Sequence, residues 1–317
     1  MPGASITTFM QWAIKNSGGT LPATQLIDNV TGRIGASQEI ADSNGQNASL
    51  TGRINRMRVT GLPVEPTFSF EPTALEWTYL LPILLGGTSA GTTPIVYTPG
   101  NDLPLFSAQG VEDRGGTPFP HNYTNLAVDS WTIRSQPGGL LGLDISCIGT
   151  GYENTTAFPS LSNFDNVYSP FAYPDLTGDG ATGLDGAFTI NGTSRLTWSI
   201  SLTCNYNLDR GRRPHTLAVQ GLRKRARDIS CQFSMQADDA QNIYASDLRG
   251  LTGYPVVMRW RNPVQTTEYL EINMPSVIFP LPDIDLPRRE EIRPTVSGMA
   301  KYDGTNPPIT FKVQLRT

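Results

Sequence analysis

The chain has 317 residues, of which only 16% are charged, and a formal net charge of −4. It therefore lacks the basic footprint that tight nucleic-acid binding needs, and no stretch approaches the roughly 20 apolar residues that span a bilayer. With 31 glycines, 25 prolines and few charges, its surface must draw on Ser, Thr, Asn and Gln, which predicts a mainly β protein with small α content, long loops and large subunit contacts.

Residues 1–50 are polar, follow neither structural period, and are read as an N-terminal arm that gains order by lying on something else. The opening MPGASITTFMQWAIKNSGG has neither a basic leader nor a sustained apolar core, so no secretory signal is expected. A first module, with its linking loop, is placed at 51–185 and a second at 186–317. The division rests on a repeated phrase: FSFEPTALEWTYLLPILLGG from Phe68 returns as FSMQADDAQNIYASDLRG from Phe233. Phe68, Thr73, Glu76, Tyr79 and Gly86 answer to Phe233, Asp238, Gln241, Tyr244 and Gly250, which reads as a duplicated strand-and-helix unit.

In the first copy Thr73 and Glu76 form a predicted capping box. The helix body carries Leu75, Leu80, Leu81, Ile83, Leu84 and Leu85, so it must be covered on most sides, and Pro82 is expected to kink or end it. An extended, turn-rich region follows, then two predicted strands, SWTIRS and GLLGLDISCIGT, joined by the turn QPGG. Leu141, Leu143, Ile145 and Cys147 share one face of the second. Further on, Asp175, Thr177, Asp179 and Gly180 imitate a calcium loop, but Gly186 stands where the bidentate Glu belongs, so the segment reads as a turn.

The strongest strand is SRLTWSISLTCNYNL, in which Leu196, Trp198, Ile200, Leu202, Cys204, Tyr206 and Leu208 alternate with Thr197, Ser199, Ser201, Thr203, Asn205 and Asn207. It returns antiparallel through Ile229, Cys231, Phe233 and Met235. The connection holds Arg210, Arg212, Arg213, Arg223, Lys224, Arg225 and Arg227, and Asp283, Asp285, Glu290 and Glu291 supply acidic counterparts. These charges are read as intersubunit ion-pair candidates. Predicted helix two spans 238–250, and YPVVMRW, YLEINMPSVIF with a proline break, EEIRPTVSGMA and ITFKVQL complete the strands.

The three cysteines, Cys147, Cys204 and Cys231, sit in alternating apolar contexts and are expected to be buried thiols rather than a disulfide or zinc framework. His121 and His215 lie in polar turn regions with no accompanying nucleophile. No catalytic, cofactor or metal site is expected.

Taken together, FEPTALEWTYLLPILLGG, YTNLAVDSWTIRSQPGGLLGLDISCIG, LTWSISLTCNYNL and the succession ISCQFSMQADDAQNIY then LEINMPSVIFPLP resemble the major tail tube proteins of long, non-contractile-tailed bacteriophages from about residue 51 onward. The resemblance implies sandwich or barrel-type β modules, each with a flanking helix, that close into a pseudo-sixfold ring around a lumen. Rings made of three such chains, or of six, would stack into a virion tail tube assembled in the bacterial cytoplasm, with tape measure, terminator and distal tail proteins as partners. Phage DNA would pass without specific binding, and no membrane is involved. An arm or long hairpin would reach the adjacent ring, roles that residues 1–50 and 209–220 match by type. Within this frame Ser199, Ser201, Thr203 and Asn205 are lumen-face candidates.

Three other readings stand beside it. A tail terminator or connector ring would also oligomerise. A carbohydrate-binding β-sandwich would use Tyr152, Tyr168 and Tyr173, and a hydrolase would use Asp129 or Asp144.

Overall fold

A computed structural model of the chain describes residues 31–33, 39–42, 57–61, 63–87, 89–101, 103–113, 118–153, 168–172, 188–195, 197–209, 226–235, 253–262, 267–280 and 294–316. It is mainly β, with one helix among these residues.

The helix, α1 (Ala74–Leu85), forms as its capping box dictates: Thr73 N–H donates to Glu76 Oε2 at 2.8 Å and Glu76 N–H to Thr73 Oγ1 at 3.3 Å. It stops at Gly86, whose left-handed φ of 63° a side chain would resist. Pro82 does not end it, and the helix runs on to Leu85. The carbonyl of Thr78, which Pro82 cannot serve, accepts instead from the Tyr97 hydroxyl at 3.3 Å. The C-terminal carbonyls are covered too: Tyr206 donates its hydroxyl to Leu84 O, and Arg227 Nη2 reaches Leu85 O at 3.2 Å and Gly100 O at 2.7 Å. A guanidinium there also complements the helix dipole.

The first strands in the chain are β1 (Thr31–Arg33), β2 (Glu39–Asp42), β3 (Met57–Gly61) and β4 (Thr67–Phe70). β1 pairs with β4, while β2 and β3 form a separate two-stranded sheet, so part of the predicted arm lies on its own chain. After α1 come β5 (Ser89–Ala90), β6 (Ile95–Tyr97), β7 (Phe106–Asp113), β8 (Pro118–Ser135), β9 (Gly142–Ile148) and β10 (Gly151–Glu153). The second half supplies β11 (Phe188–Ile190), β12 (Thr193–Ser194), β13 (Thr197–Asn205), β14 (Asp228–Met235), β15 (Tyr254–Arg261), β16 (Tyr269–Ile278), β17 (Thr295–Ala300) and β18 (Thr310–Gln314).

Among the described residues sixteen strands join one sheet, along the path β1-β4-β9-β8-β13-β14-β17-β16-β15-β11-β12, with β18 on β16. The two sequence halves meet within it, because β8 pairs with β13 from Ser130 against Asn205 to Ser135 against Ile200. The sheet folds over where β17 meets β16 through only two register pairs, and the two layers share one core. Trp131 on β8 packs edge-on against Phe311 on β18 at 5.9 Å, Phe188 against Phe233 at 4.6 Å, and the Trp260 indole donates to Ser135 Oγ at 3.0 Å. α1 touches β8 in one layer and β18 and β6 in the other, which accounts for its apolar coat.

The β8–β9 turn falls on Gln136–Gly139 as predicted, closed by Gly139 N–H to Gln136 O at 3.0 Å. Leu141, Leu143, Ile145 and Cys147 are all buried. Three strand expectations need correction. The turn-rich region before SWTIRS contains β7 and the start of β8, which pair as a hairpin, and β8 continues from Pro118 through SWTIRS for 18 residues. Pro275 does not break β16, because it sits between the segments paired to β18 and β17 and beside the register shift facing β15. The alternation in β13 is interrupted as well: a register shift between Thr197 and Ser199 leaves Thr197 buried and Trp198 half-buried. Predicted helix two lies outside the described residues.

Candidate functional site

Period-two alternation on β4, β9, β8, β13, β14 and β17 turns the apolar members of these strands inward and aligns the polar ones on the opposite face. Register makes rows of them. One row runs Ser69, Asp144, Thr132, Thr203, Ser230 and Met299 across all six strands. A second runs Thr67, Ser146, Ser130, Asn205 and Asp228, and a third runs Arg134, Ser201, Gln232 and Ser297. The four residues singled out on β13 fall on this face, with Ser199 and Asn205 exposed and Ser201 and Thr203 half-buried.

The face is hydroxyl-rich and nearly neutral. Thr132 and Thr203 share a hydroxyl hydrogen bond of 3.0 Å between neighbouring strands. Among the described side chains that these six strands present on it, Arg134 is the one cation, and its Nη2 lies 2.7 Å from Asp144 Oδ1 and 2.6 Å from Oδ2. Ser69 Oγ donates to the same Oδ1 at 2.5 Å. Asp228 accepts from the Asn207 amide at 2.8 Å, and Asn207 sits in the left-handed region at a φ of 50°. A surface of this kind binds water through many weak groups and offers a polyanion no unpaired cation. The sequence reading found it on one strand only; the alternate Ser and Thr positions of SWTIRS, ISCQFSM and TVSGMA carried the same signal.

Of the proposed ion-pair residues, Arg210, Arg212, Arg213, Arg223, Lys224, Arg225, Asp283 and Asp285 lie outside the described residues. Arg227 is described, and its guanidinium serves the C-terminus of α1 and stacks 5.2 Å from the Tyr206 ring centroid.

His121 is not in a turn but buried on β8, with Nδ1 2.7 Å from the Tyr152 hydroxyl. Asp129 is the residue at the register shift in β8, and its Oδ1 accepts from Leu208 N–H at 3.1 Å, an anchoring role. Tyr152 and Tyr168 are half-buried rather than exposed: Tyr152 packs on Tyr123 at 5.3 Å and Tyr168 against the Arg316 guanidinium at 5.1 Å. Neither offers the open ring that sugar stacking needs. His215, Tyr173 and the calcium-like loop lie outside the described residues. Among the described residues no group of three or more His, Cys, Asp or Glu could hold a metal ion.

All three cysteines are free and buried, as expected. Loss of hydration pushes the Cys204 and Cys231 thiols up to about 12 and raises Cys147 well above its ordinary value, so all three are held as neutral thiols.

A profile of phage tail tube proteins matches residues 6–310, nearly the whole chain. The chain belongs to the phage tail tube protein family. No curated protein matches it significantly. As a tail tube protein it is a structural component of the bacteriophage virion tail, the assignment that the quoted segments implied. Among its described residues no helix is long and apolar enough to cross a membrane.

Proposed function

We propose that this tail tube protein is the major tube subunit of a long, non-contractile tail, and that its hydroxyl-rich face lines a channel through which phage DNA leaves the virion. The observation that carries this reading is the six-stranded face itself, which is broad and polar, with one cation that is already neutralised. DNA moving past it meets hydration and weak hydrogen bonds rather than a row of cations. The mechanism is geometry and electrostatics, with no reaction to catalyse.

Rings of three chains are favoured over six. Supporting this, the repeated phrase divides the chain into units at 51–185 and 186–317, and three of the six strands come from each half: β4, β8 and β9 from the first, β13, β14 and β17 from the second. The sheet ends in the short strands β1 and β12, and edges of this kind close when neighbouring chains pair across them. The basic connection between β13 and β14 and the N-terminal arm are assigned to contacts between subunits and between rings. Tape measure, terminator and distal tail proteins are the expected partners, met during assembly in the bacterial cytoplasm.

Electron microscopy of the purified chain over a concentration series tests this. Hollow tubes or stacked rings with threefold averaging are expected. Compact monomers at every concentration would overturn self-assembly of this chain alone, and rings that never stack would move the assignment to a terminator or connector.

A further inference from the structure

We propose that Asp144 is a charge mask: held by Ser69, it neutralises Arg134 so that the channel face does not grip DNA phosphates. The inference rests on the assignment of this face to the channel and names the residue that sets its behaviour toward a polyanion.

The Arg134 side chain is 63% exposed, so its position is not fixed by burial. Unpaired, a guanidinium is the side chain best matched to a phosphate, since its planar fork donates two parallel hydrogen bonds. Here both oxygens of Asp144 close on one nitrogen of that fork, Nη2, at 2.7 and 2.6 Å, and set a full negative charge against the guanidinium. Asp144 is the less exposed partner, at 30%, and Ser69 on the neighbouring strand β4 steadies it through the 2.5 Å hydrogen bond. Three strands therefore cooperate to position one carboxylate over one cation. An exposed pair of this sort contributes little to folding stability, so its geometry is better accounted for by what it does to the surface than by what it does to the fold. Repeated in every chain of every ring, an unmasked Arg134 would present stacked circles of positive charge to DNA, and weak phosphate contacts multiply when a polymer meets many at once.

The test uses tubes of the full chain and a double-stranded DNA oligonucleotide of mixed sequence. D144N keeps an oxygen that can accept from Ser69 and Arg134 but removes the negative charge. Sedimented D144N tubes are expected to carry at least about five-fold more DNA into the pellet than wild-type tubes at low salt. The excess should vanish at high salt, as phosphate contacts do, and in the double variant R134Q/D144N. Position is checked on the same tubes with Ser199→Cys bearing a maleimide gold cluster, which the buried native thiols leave as the reactive site. Gold on the tube axis with DNA retention unchanged in D144N overturns the mask while leaving the channel assignment intact. Gold on the outer wall overturns the channel assignment, and the mask with it. If D144N does not assemble, Ser69→Ala decides: retention above wild type supports the mask and retention equal to wild type overturns it.

Discussion

The two faces of the six-stranded layer are built from the same strands, residue by residue, yet are governed by different physics. Trp131 and Thr132 are neighbours in β8; the first meets Phe311 inside the shared core, and the second meets Thr203 and water. On the inner face each side chain is constrained by volume, because a close-packed interior has no slack. On the outer face hydroxyls can be exchanged while charge cannot, because what matters there is the field presented to a partner. One ladder of backbone hydrogen bonds thus carries a stability code on one side and an electrostatic code on the other.

The sharpest break of that comparison is Trp131→Ala, expected to cost about 3–5 kcal/mol, against Thr132→Ala, expected to cost no more than about 1 kcal/mol. Urea unfolding of the unassembled chain measures both, and equal losses would refute the division of labour. Next comes Arg227→Ala, which strips a cation and two hydrogen bonds from the C-terminus of α1 and its neighbouring turn. A loss of about 2 kcal/mol is expected, and in the same assay a loss under a few tenths would show that the end of α1 is capped without it.

A smaller, pH-dependent effect comes from the far side of the second layer, where Arg259 and Lys312 flank the buried Glu271. Burial pushes the Glu271 carboxyl up, but hydrogen bonds from Lys312 and Arg259 outweigh it and hold the group below its ordinary value. A depressed carboxyl contributes stability above the unfolded value of about 4.3 and loses it as pH falls through the folded one. Wild-type melting temperature should therefore drop more steeply below about pH 4 than that of Glu271→Gln; parallel curves would dismiss the linkage. The smallest effect is expected from Thr203→Ala, with folding changed by about 1 kcal/mol or less and tube diameter unchanged in micrographs.

Much of the apolar face was legible in the sequence. Ile200, Leu202 and Cys204 alternate cleanly, the partners Ile229, Cys231 and Phe233 do likewise, and Thr73 with Glu76 announces the start of α1. What was not legible depended on distant partners. Pro82 is tolerated because Tyr97, fifteen positions later, donates to Thr78. Thr197 is buried because the strand shifts register against β14. The β7–β8 hairpin was hidden by Pro118 and Pro120 and by two buried polar residues, Gln109 and Asn122, that oppose each other in register and blur the alternation. For the polar face, the sequence marked Ser199, Ser201, Thr203 and Asn205 but could not reveal that Ser69 on β4 would join Asp144 and Arg134 of the β8–β9 hairpin, since strand order decides which distant hydroxyls become neighbours.

The length of β8 has a mechanical consequence. Its first half belongs to the hairpin with β7 and β10, and its second half is held between β9 and β13. Eighteen residues reach roughly 60 Å at about 3.3 Å per residue, so a single strand ties the hairpin to a root that is clamped on both edges. Antiparallel ladder bonds lie perpendicular to the strand, and a pull along β8 therefore loads them in shear, many at once, rather than peeling them singly. Tension applied at the hairpin is delivered to the centre of the sheet without unzipping its root.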